Sequence, residues 1–321
     1  MICQEIGNNS AWNQASEEVQ CNPVEDLYQD LDFIKPLNSA KFSVYLVHSQ
    51  TSKSYYAMKV FPLHHGKIVP FYYNESRFSY LSHKNVISII DSNPHKTLER
   101  EGKKKTFSYI LMELASFGDF FDLILKYKVP FNDKLIRTYF HQLIEGLEYL
   151  HSNGVCHLDI KLENLLLGNG FQLKIADFDM SYMKGDKEIR SSGTKYYRAP
   201  ELKAGTCIIP EAADIFSAAI VLFLMKSGGT LPQNENNIYQ GMNLYDLLQS
   251  CPKDFWAFHN DLKKQNDYYQ EDFMELFTWM TRENPCDRPT ISQIKEASWY
   301  NGEVYDDREL ETLMKELLFD Q

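Results

Sequence analysis

The chain has 321 residues, 44% of them apolar and 24% charged, and its 44 acidic against 33 basic side chains give a net charge of −11. These are the proportions of a globular protein long enough for one large domain or two small ones. The carboxylate excess argues against a nucleic-acid footprint, which would need a clustered basic face. The six cysteines are scattered with no Cys-x-x-Cys pair, which argues against a disulfide framework or zinc site and for a reducing compartment.

Residues 1–27 are rich in Asn, Gln, Glu and Ser and read as a disordered tail. Met1 to Gln20 lacks the apolar core of a signal peptide, Ile2 stands where N-myristoylation needs Gly, and the terminal Phe-Asp-Gln offers no prenylation Cys. Strand-like alternation then predicts Asp30–Leu37, Phe42–His48 and Tyr55–Phe61 as three antiparallel strands. Apolar spacing at Phe71, Phe78 and Leu81 predicts a helix over Val69–Ser82. Two more strands are expected at Ile87–Asp91 and Thr106–Glu113. The mixed charges of Glu99–Lys105 between them suit a solvated hairpin tip.

From Phe120 the pattern turns helical. Ile136, Phe140, Leu143, Ile144, Leu147 and Leu150 place a buried helix over Asp133–Ser152, stopped by Asn153-Gly154. In the following stretch, Cys156 to Asp179, two apolar runs flank a Gly-Asn-Gly turn. Asp159 and Asn164 precede the first run and Asp177 follows the second, so the three can converge at one end of a hairpin. Such oxygen ligands suit Mg²⁺, which keeps substrate phosphates among its partners. The apolar run Ala212–Met225 contains Asp214 and falls short of the ~20 residues of a bilayer span, so it reads as a buried helix. Asp306–Phe319 carries Leu310, Leu313, Met314, Leu317 and Leu318 at amphipathic spacing. Packing on the body of the protein is its expected role, and docking a partner is the alternative.

The set His157, Asp159, Lys161 and Asn164, followed by Asp177-Phe178, resembles the catalytic loop and metal-binding segment of the eukaryotic protein kinases. Other motifs follow in the family's order. Tyr56-Ala57-Met58-Lys59-Val60 is similar to its third strand, Glu75 stands sixteen residues on, and Gly193-Thr194-x-x-Tyr197-x-Ala199-Pro200-Glu201 resembles its activation segment. An ordinary surface hairpin would not bring that succession with it.

The resemblance implies an α+β bilobal fold over 28–299: a small antiparallel sheet lobe with one helix (28–112), a hinge (113–118) and a mainly helical lobe (119–299), with 300–321 as the C-terminal acidic helix. It implies ATP and Mg²⁺ as cofactors and a protein hydroxyl as acceptor. Asp159 would be the catalytic base, Lys161 would neutralise the transferring phosphoryl group, and Asn164 and Asp177 would hold the metal. Lys59 would meet the α/β-phosphates and pair with Glu75. Leu37, Val44, Ala57, Met112 (as gatekeeper), Glu113, Ala115, Asp119 and Leu166 would surround the nucleotide. Thr194 would bond Asp159 and Lys161, Glu201 would pair with Arg288, and Asp214 would tie back to the catalytic loop. Asp119 and Glu163 stand where related kinases hold basic substrate residues. The chain is expected in the cytoplasm or nucleus, with no nucleic-acid or membrane partner.

Several positions depart from the pattern. Asn38, Ala40 and Ser43 replace the three loop glycines, and side chains there limit how closely backbone approaches a phosphate. Phe42, the usual loop-tip aromatic, remains. Asp179 replaces the metal-segment glycine, and Ser79 stands where a large apolar residue is usual. Leu158 replaces the Arg that binds an activation-loop phosphate, and the commonest phosphosite is Arg190, beside Ser191 and Ser192. Activity independent of loop phosphorylation is therefore expected. Three readings follow: an active Ser/Thr protein kinase, a pseudokinase that binds without transferring, and a small-molecule kinase. Lys161, Thr194 and the Ala-Pro-Glu segment argue against the last.

Overall fold

The structure is a computed structural model that describes residues 31–38, 42–100, 103–189, 193–207, 209–232, 238–239 and 242–319. The expected tail, loop positions 39–41 and the 190–192 segment lie outside the described residues. The chain divides into two compact units. Among the described residues, one comprises those up to Gly118 with Leu166–Asp179 and Leu318 to Phe319; the other comprises those of Asp119–Leu165 and Met180–Leu317.

The first unit is built on a five-stranded antiparallel sheet: β1 (Leu31–Asn38), β2 (Ser43–Ser49), β3 (Tyr55–Pro62), β4 (Ile89–Arg100) and β5 (Lys103–Glu113), in the order β1-β2-β3-β5-β4. Directly opposed residues share a face. Val44, Lys59 and Ile110 therefore form one row and Leu46, Ala57 and Met112 the next. The alternate residues Phe33, Val47, Met58, Tyr109 and Leu111 form the buried cluster of the other face.

The strand bounds differ from expectation here. The fourth strand runs from Ile89 to Arg100 instead of ending at Asp91, and the ladder continues to Arg100↔Lys103, so the hairpin connection expected within Glu99–Lys105 is there but narrower. The Thr97 and Thr106 hydroxyls lie 3.0 Å apart across it. Pro94, which cannot donate to a ladder, is taken up by a register shift between Asn93 and Lys96 on the edge strand.

The helix expected over Val69–Ser82 is α1 (Pro70–Ser76), with Pro at its first turn. After Ser76 the chain goes on in tighter turns, Phe78 N–H to Glu75 O and Ser79 N–H to Ser76 O, with Ser79 exposed and Phe78 only 1% exposed. Phe78 then packs on Phe178 with ring centroids 5.6 Å apart. At this turn the ring on Phe178 is thus supplied by Phe78, and Ser79 beside it is exposed.

The second unit is helical. Its α2 (Asp133–Ser152) has the expected bounds and is capped by the Asn132 side chain, which accepts from Leu135 N–H at 2.8 Å. Further on come α3 (Pro200–Ala204) and α4 (Pro210–Ser227). Every residue of α4 except Glu211 is buried, as expected of a helix apolar on all sides. Around it stand α5 (Leu244–Ser250), α6 (Pro252–Lys263) and α7 (Glu271–Met280), with an aromatic core of Phe223, Phe255, Trp256, Tyr269 and Phe277. The short α8 (Ile291–Glu296) opens on a capping box of Thr290 and Gln293. The last helix, α9 (Asp307–Phe319), buries Leu310, Met314 and Leu318, which favours packing over docking of its apolar face. No helix among the described residues is long and apolar enough to cross a membrane.

Candidate active site

Of the residues expected around the nucleotide, all but Asp119 belong to the first unit. Ala57, Lys59 and Met112 are buried on the sheet face they share with Val44. Leu37, where the β1–β2 register shifts between Pro36 and Asn38, is 40% exposed. The strand alternation that buries Met58 and Leu111 on one face delivers Lys59 to the other.

Lys59 is 6% exposed, and its Nζ lies 2.6 Å from Glu75 Oε2 and 2.6 Å from Asp177 Oδ1. Burial alone would lower the Lys59 pKa, but Glu75, Asp177 and Asp179 outweigh it and hold the ammonium above the ordinary lysine range. Glu75, 1% exposed, moves up to about 7. Burial is the main cause, Lys59 opposes it, and Asp177 and Asp179 add to it. A raised lysine implies charged partners, whereas a raised Glu75 implies a partly protonated one. Asp177 resolves the conflict, because it holds the ammonium whatever the state of Glu75. Three carboxylates around one ammonium raise the lysine, whereas burial and the two neighbouring aspartates raise Glu75.

Asp177 is carried past the hairpin β6 (Leu165–Leu167) and β7 (Leu173–Ile175), numbering the strands that join this segment. The hairpin is tied to the first unit by reciprocal backbone bonds, Ile87 N–H to Ile175 O at 2.9 Å and Ile175 N–H to Asn85 O at 2.8 Å. Asn85 also donates through Nδ2 to Leu173 O at 3.0 Å. Asp177 has φ 70°, a left-handed conformation that Asp tolerates better than bulkier residues. Asp179 is not among the described non-glycine residues of positive φ, so its Cβ meets no such strain here. Its carbonyl accepts from Asn74 Nδ2 at 2.9 Å.

At the hinge, the Glu113 side chain has a structural role beyond the expected backbone contact. It accepts from Ser88 N–H at 2.7 Å and from Lys174 Nζ at 3.0 Å. Phe117 N–H donates to Leu167 O and Leu167 N–H to Gly118 O, clipping the hinge to the strand that holds Leu166. Ala115 and Leu166 are half-buried.

The residues expected on the phosphoacceptor side belong to the second unit. Asp159 receives Thr194 Oγ1 on Oδ1 at 2.6 Å and Lys161 Nζ on Oδ2 at 2.6 Å, and Lys161 Nζ also reaches Thr194 Oγ1 at 3.2 Å. Asn164 donates through Nδ2 to Asp159 O at 2.9 Å and to its Oδ2 at 3.3 Å, which leaves the amide oxygen as the hard-ligand side of the group. Beneath the loop Asp214, fully buried, accepts from His157 N–H at 2.8 Å and Leu158 N–H at 2.7 Å. Leu158 has φ 60° and is 1% exposed, so the residue that replaces Arg is turned inward.

Asp119 accepts from Asp122 N–H through Oδ1 at 2.8 Å and starts the π-helical turn Asp122–Lys126. Burial pushes its carboxyl up to about 6, with Asp122 and Glu163 adding to the rise. Arg288 makes the expected pair with Glu201.

Three other residues have roles that motif and spacing did not point to. Asn74 holds the Asp179 carbonyl, His151 meets Asp214 Oδ2 through Nε2 at 2.9 Å, and the Ser217 hydroxyl donates to Tyr197 O at 2.8 Å. His151 lies in the last turn of α2, and that position was its only signal.

The family model for the protein kinase domain matches residues 40–300. The chain belongs to the protein kinase family. It is 34% identical over 234 residues to "CBL-interacting protein kinase 9" of Oryza sativa subsp. japonica, covering 70% of this chain and 45% of that protein. It is 33% identical over 227 residues to "CBL-interacting protein kinase 24" of the same plant, covering 68% and 46%. It is also 32% identical over 189 residues to "Probable serine/threonine-protein kinase KCC4" of Saccharomyces cerevisiae, covering 58% and 17%. The chain spans less than half the length of these curated relatives. The α+β architecture, with its five-stranded antiparallel sheet and helical second unit, is that of the family.

Proposed function

We propose that this kinase chain transfers the γ-phosphate of Mg-ATP to serine and threonine hydroxyls of protein substrates. The observation that carries the reading is the Asp159–Lys161–Thr194 triangle. A carboxylate held by two donors at 2.6 Å is oriented to accept a hydroxyl proton, and the ammonium beside it can neutralise charge that develops on the transferring group. Thr194 fixes the carboxylate rotamer and gives Lys161 a second anchor.

The donor set fits ATP and a divalent ion. One ammonium against Glu75, Asp177 and Asp179 leaves a net negative charge that a divalent cation would compensate. Asp177 and Asn164 would hold the metal, which when bound neutralises phosphate oxygens. Lys59, kept charged by its neighbours, would bind the α/β-phosphates, and Ala57, Met112, Leu166, Val44 and Leu37 would face the adenine side. Asp119 and Glu163, the second of which helps raise the carboxyl of the first, support a preference for basic residues near the phosphoacceptor. Scattered cysteines favour the cytoplasm or nucleus.

The second reading, a pseudokinase, rests on Asn38, Ala40 and Ser43 in place of the loop glycines. Phosphoamino-acid analysis after incubation with Mg-ATP and a mixed basic-protein substrate separates the two. Phosphoserine and phosphothreonine, absent with Asp159→Asn, are the expected products. Mg-ATP binding without any product would favour the second reading, and phosphotyrosine alone would overturn the Ser/Thr assignment.

A further inference from the structure

We propose that Phe319, in the last turn of α9, is a positioning residue for nucleotide binding that acts through the hinge. Three aromatic rings meet within the first unit. Phe117 stacks on Phe171 with centroids 4.3 Å apart and 29° between planes. The Phe319 ring lies 6.4 Å from each of them, edge-on to Phe117.

The location gives this cluster its consequence. Phe117 sits in the hinge, and its N–H donates to Leu167 O at 3.0 Å while Leu167 N–H returns to Gly118 O at 2.9 Å. This two-bond clip sets the spacing between hinge backbone and Leu166, the two elements assigned to the adenine. Phe171, 1% exposed and held at φ 58°, ends the 3-10 turn that joins the two strands of the Leu166 hairpin. Phe117 therefore braces the hinge side of the clip and Phe171 the hairpin side, and Phe319 is the third ring against both. Edge-on and offset aromatic contacts are directional, so the triad fixes geometry as well as burying area. The C-terminal helix thus contributes to the nucleotide half-site although its last residues are far from it in sequence.

The inference rests on the nucleotide-binding reading above. Its test compares Phe319→Ala, Phe319→Tyr and the wild type by calorimetric titration with Mg-ATP, by steady-state kinetics and by amide hydrogen exchange. For Phe319→Ala, loss of ring contacts of this strength predicts a rise in Kd and KM for ATP of about three- to tenfold with kcat unchanged. Faster exchange at Phe117 and Leu167 should accompany it, and Phe319→Tyr, which keeps the ring, should restore both. Unchanged Kd and unchanged exchange at those two amides in folded Phe319→Ala would overturn the proposal, as would an equal loss with Phe319→Tyr. If the wild type binds no nucleotide, the functional reading fails by itself. The exchange of the two amides then still decides the clamp: faster in Phe319→Ala upholds it, and unchanged removes it.

Discussion

Arg288 and Glu201, 87 residues apart in sequence, form a two-point ion pair, with Nη1 2.6 Å from Oε1 and Nη2 2.8 Å from Oε2. The Arg288 side chain is fully buried and also donates to the carbonyls of Ala212, Arg282 and Glu283. It therefore fastens the start of α4 and the end of the activation segment to the chain before α8.

Removing one partner leaves the other charge buried and uncompensated, a loss of about 3–5 kcal/mol. Arg288→Ala should cost more than Glu201→Ala, because it also abandons three backbone carbonyls. Urea unfolding measures both, and losses below about 1 kcal/mol would show that the pair is solvated.

Phe78 and Ser79 should respond in the opposite order to an alignment with the family. Phe78→Ala removes a ring 1% exposed and in contact with Phe178, and should cost about 3–5 kcal/mol. Ser79→Ala, at an exposed turn position, should stay within about 0.5 kcal/mol. Thermal denaturation of the two variants decides between them.

His259 makes stability fall in mild acid. It is 1% exposed, packs against Phe223 and Phe255, and meets Pro232 O through Nε2 at 3.0 Å. Burial pushes its pKa down from 6.5 to about 4, with Lys263 adding to the fall and the Pro232 carbonyl opposing it. Between these values the unfolded chain binds more protons than the folded one. The stabilisation is thus complete above about pH 6.5 and is lost as pH falls toward 4. A shift of that size is worth about 3 kcal/mol at most. Unfolding measured from pH 7 to 4 should be steeper for the wild type than for His259→Phe, and parallel curves would contradict the assignment.

Activity should not depend on phosphorylation of the activation segment. The phosphate-binding Arg is replaced by Leu158, whose side chain is buried and whose N–H is bonded to Asp214. Alanine and phosphomimetic variants at Ser191 and Ser192 should have similar kcat/KM, and a tenfold difference would contradict this.

Most of the charged constellation was legible because it follows spacing. The sixteen residues from Lys59 to Glu75 and the offsets of Asp159, Lys161 and Asn164 are one-dimensional patterns, and the long helices α2 and α4 carry strong apolar signals. What escaped depended on local termination and on neighbours distant in sequence. The helix after Val69 stops at Ser76 despite apolar spacing to Leu81, because apolar period alone does not fix a C-terminus. The β4–β5 ladder extends through charged residues because exposed strand ends need no apolar face. Asn74 and Phe319 have their roles only through contacts with residues about 105 and 150–200 positions away.

The central claim is that Asp159 is the base of a phosphoryl transfer, and the direct measurement is the rate of labelled γ-phosphate incorporation from Mg-ATP into a mixed basic-protein substrate. Asp159→Asn keeps the side-chain volume but removes the carboxylate that accepts the proton and one of its two acceptor contacts, so its rate should fall by about 10²–10⁴-fold. Equal incorporation by wild type and folded Asp159→Asn would contradict the account, and no incorporation by either would leave a binding module in its place.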